Sequence, residues 1–115
     1  MIGTKKNLYT RNKFHAVKTK IDGITFDSKK EANRYLELKL LERAKKISNL
    51  RLQVPYVLIE KSKYGQQIVY KADFVYFDED AKETVIEDTK GYRTDVYKLK
   101  ARMMKERYDI VIREI

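Results

Sequence analysis

The stretch from Gln67 to Lys90 limits this chain more than any other. Two segments of alternating apolar residues flank the short acidic run Asp78-Glu79-Asp80, and that pattern closes as a β-hairpin. The hairpin commits the chain to a sheet. It also places an acid inside one segment, in Ala72-Asp73-Phe74, and an acid and an amine at the end of the other, in Ile86-Glu87-Asp88-Thr89-Lys90-Gly91. Side chains alternate across a strand, so Asp88 and Lys90 share a face while Glu87 and Thr89 point away. With the turn centred near Glu79 and Asp80, Asp73 falls opposite or diagonal to Asp88, their Cβ atoms roughly 5 to 8 Å apart. A charge within an apolar strand is costly without a partner, which favours a task for Asp73. One hard cation can bridge both carboxylates, acidify a water and neutralise charge developing on a phosphodiester. The plain alternative is an exposed Asp88–Lys90 ion pair, worth about 0 to 1 kcal/mol.

Other elements are legible around the hairpin. Asp22-Gly23 signals a turn, and Phe26-Asp27-Ser28-Lys29-Lys30-Glu31 opens a helix with Ser28 as N-cap, running to about Lys46. Ala32, Tyr35, Leu36, Leu40 and Ala44 recur at helical spacing and are expected to face the core. A first strand covers Leu50 to Glu60, where Pro55 argues for a sheet edge or an irregularity in the strand. After the hairpin and Gly91, Thr94 or Asp95 caps a second helix with Val96, Leu99, Met103 and Met104 inward, and residues 109–113 form a last strand. The order is αβββαβ, an α/β fold. A helix between the third and fourth strands makes them parallel if they pair, so a mixed four-stranded sheet flanked by helices is expected.

Residues 1–20 read as a flexible basic arm carrying Lys5, Lys6, Arg11, Lys13, Lys18 and Lys20 with no acid, and residues 21–115 as one domain. The whole chain holds 26 Lys and Arg against 17 Asp and Glu, a formal charge of +9 on 115 residues, which favours a polyanionic partner. Lys98, Arg102 and Lys105 on the second helix offer further phosphate contacts, or merely a solvated face. Cysteine is absent and His15 is alone, so a zinc site of thiolates or imidazoles is excluded and any metal is held by oxygen. No apolar stretch is long enough for a membrane span, and the N-terminus lacks the apolar core of a signal peptide, so no membrane partner and a cytoplasmic location are expected.

The element order, with an acid on the second strand and Asp-x-Lys on the third, resembles the PD-(D/E)xK nuclease superfamily, with its restriction-endonuclease-like core. The resemblance covers residues from about 22 to 112. Phe26-Asp27-Ser28-Lys29-Lys30-Glu31, Leu52-Gln53, Ala72-Asp73-Phe74 and Glu87-Asp88-Thr89-Lys90-Gly91 look like small phage endonucleases related to Holliday-junction resolvases, with Ala72 where the superfamily pattern often has proline. The resemblance implies Asp73 and Asp88 as metal ligands, Glu31 as a further acidic ligand, Gln53 as an accessory polar residue, and Lys90 as the group that positions the attacking water and offsets phosphate charge. It implies Mg²⁺ or Mn²⁺ as cofactor, branched DNA as substrate, and a homodimer if a four-way junction is cut symmetrically. Each role has a plainer counterpart. Ser28 and Glu31 fit a capping box, and Gln53 can simply satisfy a backbone group. The alternative functions are a nicking or restriction-like duplex endonuclease subunit, and a noncatalytic DNA-binding module.

Overall fold

The computed structural model describes residues 17–115. They run β1 (Thr19–Ile21), β2 (Ile24–Phe26), α1 (Lys29–Arg43), β3 (Ile47–Ile59), β4 (Ile68–Asp78), β5 (Glu83–Asp88), α2 (Asp95–Tyr108) and β6 (Arg113–Glu114). The chain divides into two compact units, up to Leu40 and from Leu41. Lys5, Lys6, Arg11, Lys13 and His15 lie outside the described residues.

In the first unit, β1 and β2 pair antiparallel about Asp22 and Gly23, whose φ angles of 54° and 77° are the left-handed values that a two-residue hairpin turn demands. Glycine adopts that backbone freely, and aspartate tolerates it. The Asp-Gly signal is therefore a hairpin, and Thr19 and Lys20, expected in the arm, are strand residues. Helix α1 begins at the expected cap: Ser28 Oγ accepts from Glu31 N at 3.1 Å, while Glu31 Oε1 accepts at 3.1 Å from Asp27 N, one residue before the N-cap N–H that the capping box names. Its buried residues are Glu31, Ala32, Tyr35 and Leu38, whereas Leu36 and Leu40 are exposed, Leu40 by 61%. Leucines at 36, 38, 40 and 41 make two stripes fit the helical period, and the one through Leu38 is the buried one. The helix ends at Arg43, three residues before the expected Lys46, because Lys45 turns left-handed at φ 62° while Lys46 N donates to Leu41 O.

The second unit is built on a four-stranded sheet in the order β3-β4-β5-β6. The first three strands form an antiparallel meander and β6 joins β5 in parallel, so the mixed α/β sheet expected from the element order is present. Pro55 sits on edge strand β3, where its missing N–H costs least. Strand β4 is central, and Tyr70, Ala72, Phe74, Val75 and Tyr76 along it are all buried.

Helix α2 closes the core. Thr94 Oγ1 accepts from Tyr97 N at 3.0 Å as N-cap, and Asp109, left-handed at φ 56°, ends the helix. Tyr97 and Met104 pack with Leu58, Tyr70, Ala72, Val75 and Ile86, with Ala101 and Met103 partly buried. Val96 and Leu99, expected inward, are 63% and 60% exposed, so the buried stripe is rotated about one residue toward Tyr97. The β3–β4 ribbon runs on past the last β5 pair at Phe74, and α2 braces it there. Lys100 Nζ donates to Val69 O (2.9 Å), Arg107 to Leu58 O (3.2 Å) and the Tyr108 hydroxyl to Val57 O (2.5 Å). Because Thr94 satisfies an otherwise orphaned helix N–H, Thr94→Ala is expected to cost about 1 kcal/mol in urea unfolding.

Candidate functional site

Strand register assembles the site. Leu52 pairs with Phe74 and Val54 with Ala72, which sets Gln53 across from Asp73. Phe74 pairs with Glu87, so the next step of the same register sets Asp73 across from Asp88. Asp73 is held at both oxygens: Gln53 Nε2 donates to Oδ1 at 3.3 Å, and Thr89 donates to Oδ2 through its backbone N and its hydroxyl, each at 2.8 Å. Gln53 achieves this from a left-handed backbone, φ 52°, inside a strand. For a residue with a Cβ that conformation costs on the order of 1 kcal/mol or more, and such strain clusters at functional positions.

Asp88 closes β5 and is only 1% exposed. The Tyr70 hydroxyl donates to its Oδ2 at 2.6 Å. Lys90 Nζ stands 3.1 Å from Oδ1, close enough for an ion pair but off the angle of a hydrogen bond. Burial pushes the Asp88 carboxyl above its ordinary range and the charge of Asp73 pushes it further, while Tyr70 and Lys90 pull it back only in part. Two acids this close favour a positive charge between them. Lys90 itself lies over the Tyr97 ring, 4.5 Å from its centroid.

The structure thus brings together Asp73, Asp88 and Lys90, as the hairpin predicts, and sets Gln53, named only by the resemblance, beside Asp73. Glu31 belongs to the unit ending at Leu40, where it is buried and forms the helix cap already described. On the basic side chains, Lys18 and Lys20 are exposed, Lys98 lies 3.9 Å from Asp95, Arg102 is exposed, and Lys105 is engaged by Asp109.

Alternation misses three residues. It turns Thr89 away from Asp73, but β5 ends at Asp88 and the chain leaves strand geometry there, so Thr89 reaches Asp73 with both its N–H and its hydroxyl. Tyr70 and Tyr97 look like packing residues. A buried tyrosine hydroxyl needs a partner, and a buried acid on the same hairpin was the signal for Tyr70. Nothing local in sequence points Tyr97 at Lys90.

Among the described residues, no three His, Cys, Asp or Glu side chains form a cation cage. None of the helices there is long and apolar enough to cross a membrane. A family model described as "Protein of unknown function (DUF1064)" matches residues 11–114, nearly the whole chain. The chain belongs to the DUF1064 family. No curated protein and no solved structure matches this DUF1064 chain. Its site is an oxygen-donor pair: Asp73 and Asp88 supply only carboxylate oxygens, and Asp88 Oδ1 is buried without an aligned hydrogen bond. That donor chemistry suits a hard divalent cation and not a thiophilic one.

Proposed function

We propose that this DUF1064 protein is a metal-dependent DNA endonuclease, a resolvase of Holliday junctions or other branched DNA, with Mg²⁺ or Mn²⁺ as cofactor. The observation that carries the reading is the apposition of Asp73 and Asp88 across β4 and β5, with the Lys90 ammonium 3.1 Å from the buried Asp88 oxygen. Asp73 and Asp88 would hold the cation. A bound divalent ion lowers the pKa of a water and withdraws charge from the phosphate. Lys90 adds a fixed positive charge where the pentavalent phosphorus develops negative charge. Gln53 and Thr89 keep Asp73 from rotating, and Tyr70 does the same for Asp88, so the carboxylates are preorganised before substrate arrives.

The excess of positive charge supports a polyanionic substrate. Lys5, Lys6, Arg11, Lys13, Lys18 and Lys20, with Lys98, Arg102 and Lys105, would contact phosphates and not base edges. Replacing Lys5, Lys6, Arg11 and Lys13 by glutamine is expected to weaken binding on every sequence and to flatten its dependence on salt, by roughly one unit of log–log slope per lost phosphate contact. An unchanged slope in a titration series would remove these residues from the interface. Symmetric cutting of a junction calls for a homodimer, which sedimentation of the free and DNA-bound protein would reveal. The proposed location is the cytoplasm, of the host cell if a phage encodes the protein.

A second reading is a noncatalytic DNA-binding module, since the excess of positive charge serves binding without any cleavage. Labelled four-way-junction, flap and duplex DNA, each incubated with Mg²⁺, Mn²⁺ or EDTA, separate the two. Metal-dependent cutting of branched DNA supports the resolvase. Preference for long linear duplex supports a nicking or restriction-like enzyme, and binding without cutting supports the module.

A further inference from the structure

We infer that Tyr97 is the positioning residue for Lys90: its ring and the Asp88 carboxylate hold the ammonium from two sides, and Glu114 and Arg93 fix the ring. The inference rests on the endonuclease reading for its kinetic consequence, although the placement of the ammonium is measurable without turnover. Lys90 lies two residues beyond the end of β5, on a long stem with many rotamers, and its side chain is 31% exposed. Asp88 Oδ1 attracts it at 3.1 Å but at a poor hydrogen-bond angle, so the carboxylate alone sets distance and not direction. The Tyr97 ring supplies the second constraint, with the ammonium 4.5 Å from its centroid, inside the range of a cation–π contact.

The ring is itself held on every side. Its backbone N–H donates to the N-cap Thr94, which locks it into the first turn of α2. Its hydroxyl donates to Glu114 Oε2 at 2.9 Å, on the parallel strand β6, and Arg93 Nε lies 3.2 Å from the same oxygen. Burial, reinforced by Glu114, raises the pKa of the hydroxyl and keeps its proton in place for that bond. The ring also stands 6.5 Å, centroid to centroid, from the ring of Tyr70, whose hydroxyl grips the other oxygen of Asp88. Asp88, Lys90, Tyr97 and Tyr70 therefore form a closed circuit in which each member restrains the next. A positive charge helps a transition state only where negative charge develops, and a displacement of about 1 Å can cost on the order of a hundredfold in rate.

The test is a double-substitution cycle on the full chain together with proton NMR of the Lys90 side chain. Tyr97→Leu is expected to lower kcat about 10- to 100-fold, the usual cost of losing an orienting partner, with KM nearly unchanged. Tyr97→Phe, which keeps the ring and loses only the Glu114 bond, should recover most of that loss. In a Lys90→Ala background, Tyr97→Leu should cost nothing further. A loss of the same size in both backgrounds would make Tyr97 a packing residue and overturn the inference. By NMR, the Lys90 ε-methylene protons should be shifted upfield by the ring in the wild type and in Tyr97→Phe, and lose that shift in Tyr97→Leu. An unshifted wild-type Lys90 overturns the inference whether or not Tyr97→Leu folds. If the wild type cuts no DNA but shows the shift, the endonuclease reading fails alone and the placement of Lys90 stands.

Discussion

Asp88→Asn should abolish metal-dependent cleavage while leaving the fold intact. The amide keeps one oxygen able to accept from the Tyr70 hydroxyl, so the buried side chain stays partnered. What it loses is the negative charge that would complete a cation site with Asp73. Removing a group that merely orients a metal ligand already costs about 10- to 100-fold, so losing a ligand should cost at least about a hundredfold in kcat/KM. Stability should move the other way. An acid whose folded pKa lies above its unfolded value binds protons more tightly when folded, so its ionised form costs stability at neutral pH and that cost disappears as pH falls. The asparagine carries no such cost, and its urea midpoint at neutral pH should equal or exceed that of the wild type. DNA affinity should hold or rise with one negative charge fewer. Cleavage that survives the substitution would dispose of the endonuclease reading, whereas an unfolded variant would recast Asp88 as a structural residue.

Phe74→Ala should come close to unfolding the protein. Phe74 is fully buried on central strand β4, paired with Leu52 on one side and Glu87 on the other. Truncating a buried phenylalanine removes its transfer energy and leaves a cavity, together about 3 to 5 kcal/mol. A domain of this size has only about 5 to 15 kcal/mol in total. The urea midpoint should fall sharply with little change in slope. Leu99→Ala is the internal control: the helical period points Leu99 inward, but it is 60% exposed, and its loss should stay within about 0.5 kcal/mol. Comparable losses at both positions would show that the buried face of α2 is wrongly placed.

Asp73, Asp88 and Lys90 were legible in the sequence because strand alternation and hairpin register are properties of neighbouring residues, whereas Gln53 entered only through the family resemblance. A period of two and a turn of known position settle which side chains meet. The mixed sheet was legible for a related reason, since a helix between two strands leaves few ways to pair them. The helices were less so. Leu36, Leu38, Leu40 and Leu41 on α1, and Val96, Tyr97, Leu99, Met103 and Met104 on α2, offer more apolar positions than one face can bury, so periodicity alone cannot choose the face. Thr89 escaped because parity holds only while a strand lasts, and β5 stops one residue earlier. Tyr97 escaped because its meeting with Lys90 depends on how α2 packs, which no local pattern records. Glu31 carries both a helix-cap pattern and an acid suited to a ligand role, and the cap is the part its own neighbours determine.

Gln53 ties comfort to usefulness at a single position. Its backbone adopts a shape that glycine or asparagine would take more easily, yet glycine has no amide to offer Asp73 and asparagine is one methylene shorter. Selection for thermal robustness alone would drift this position toward glycine and release the strain. A glutamine kept there is a small, standing concession of durability to the steadiness of one carboxylate, so campaigns to toughen this protein should leave position 53 untouched.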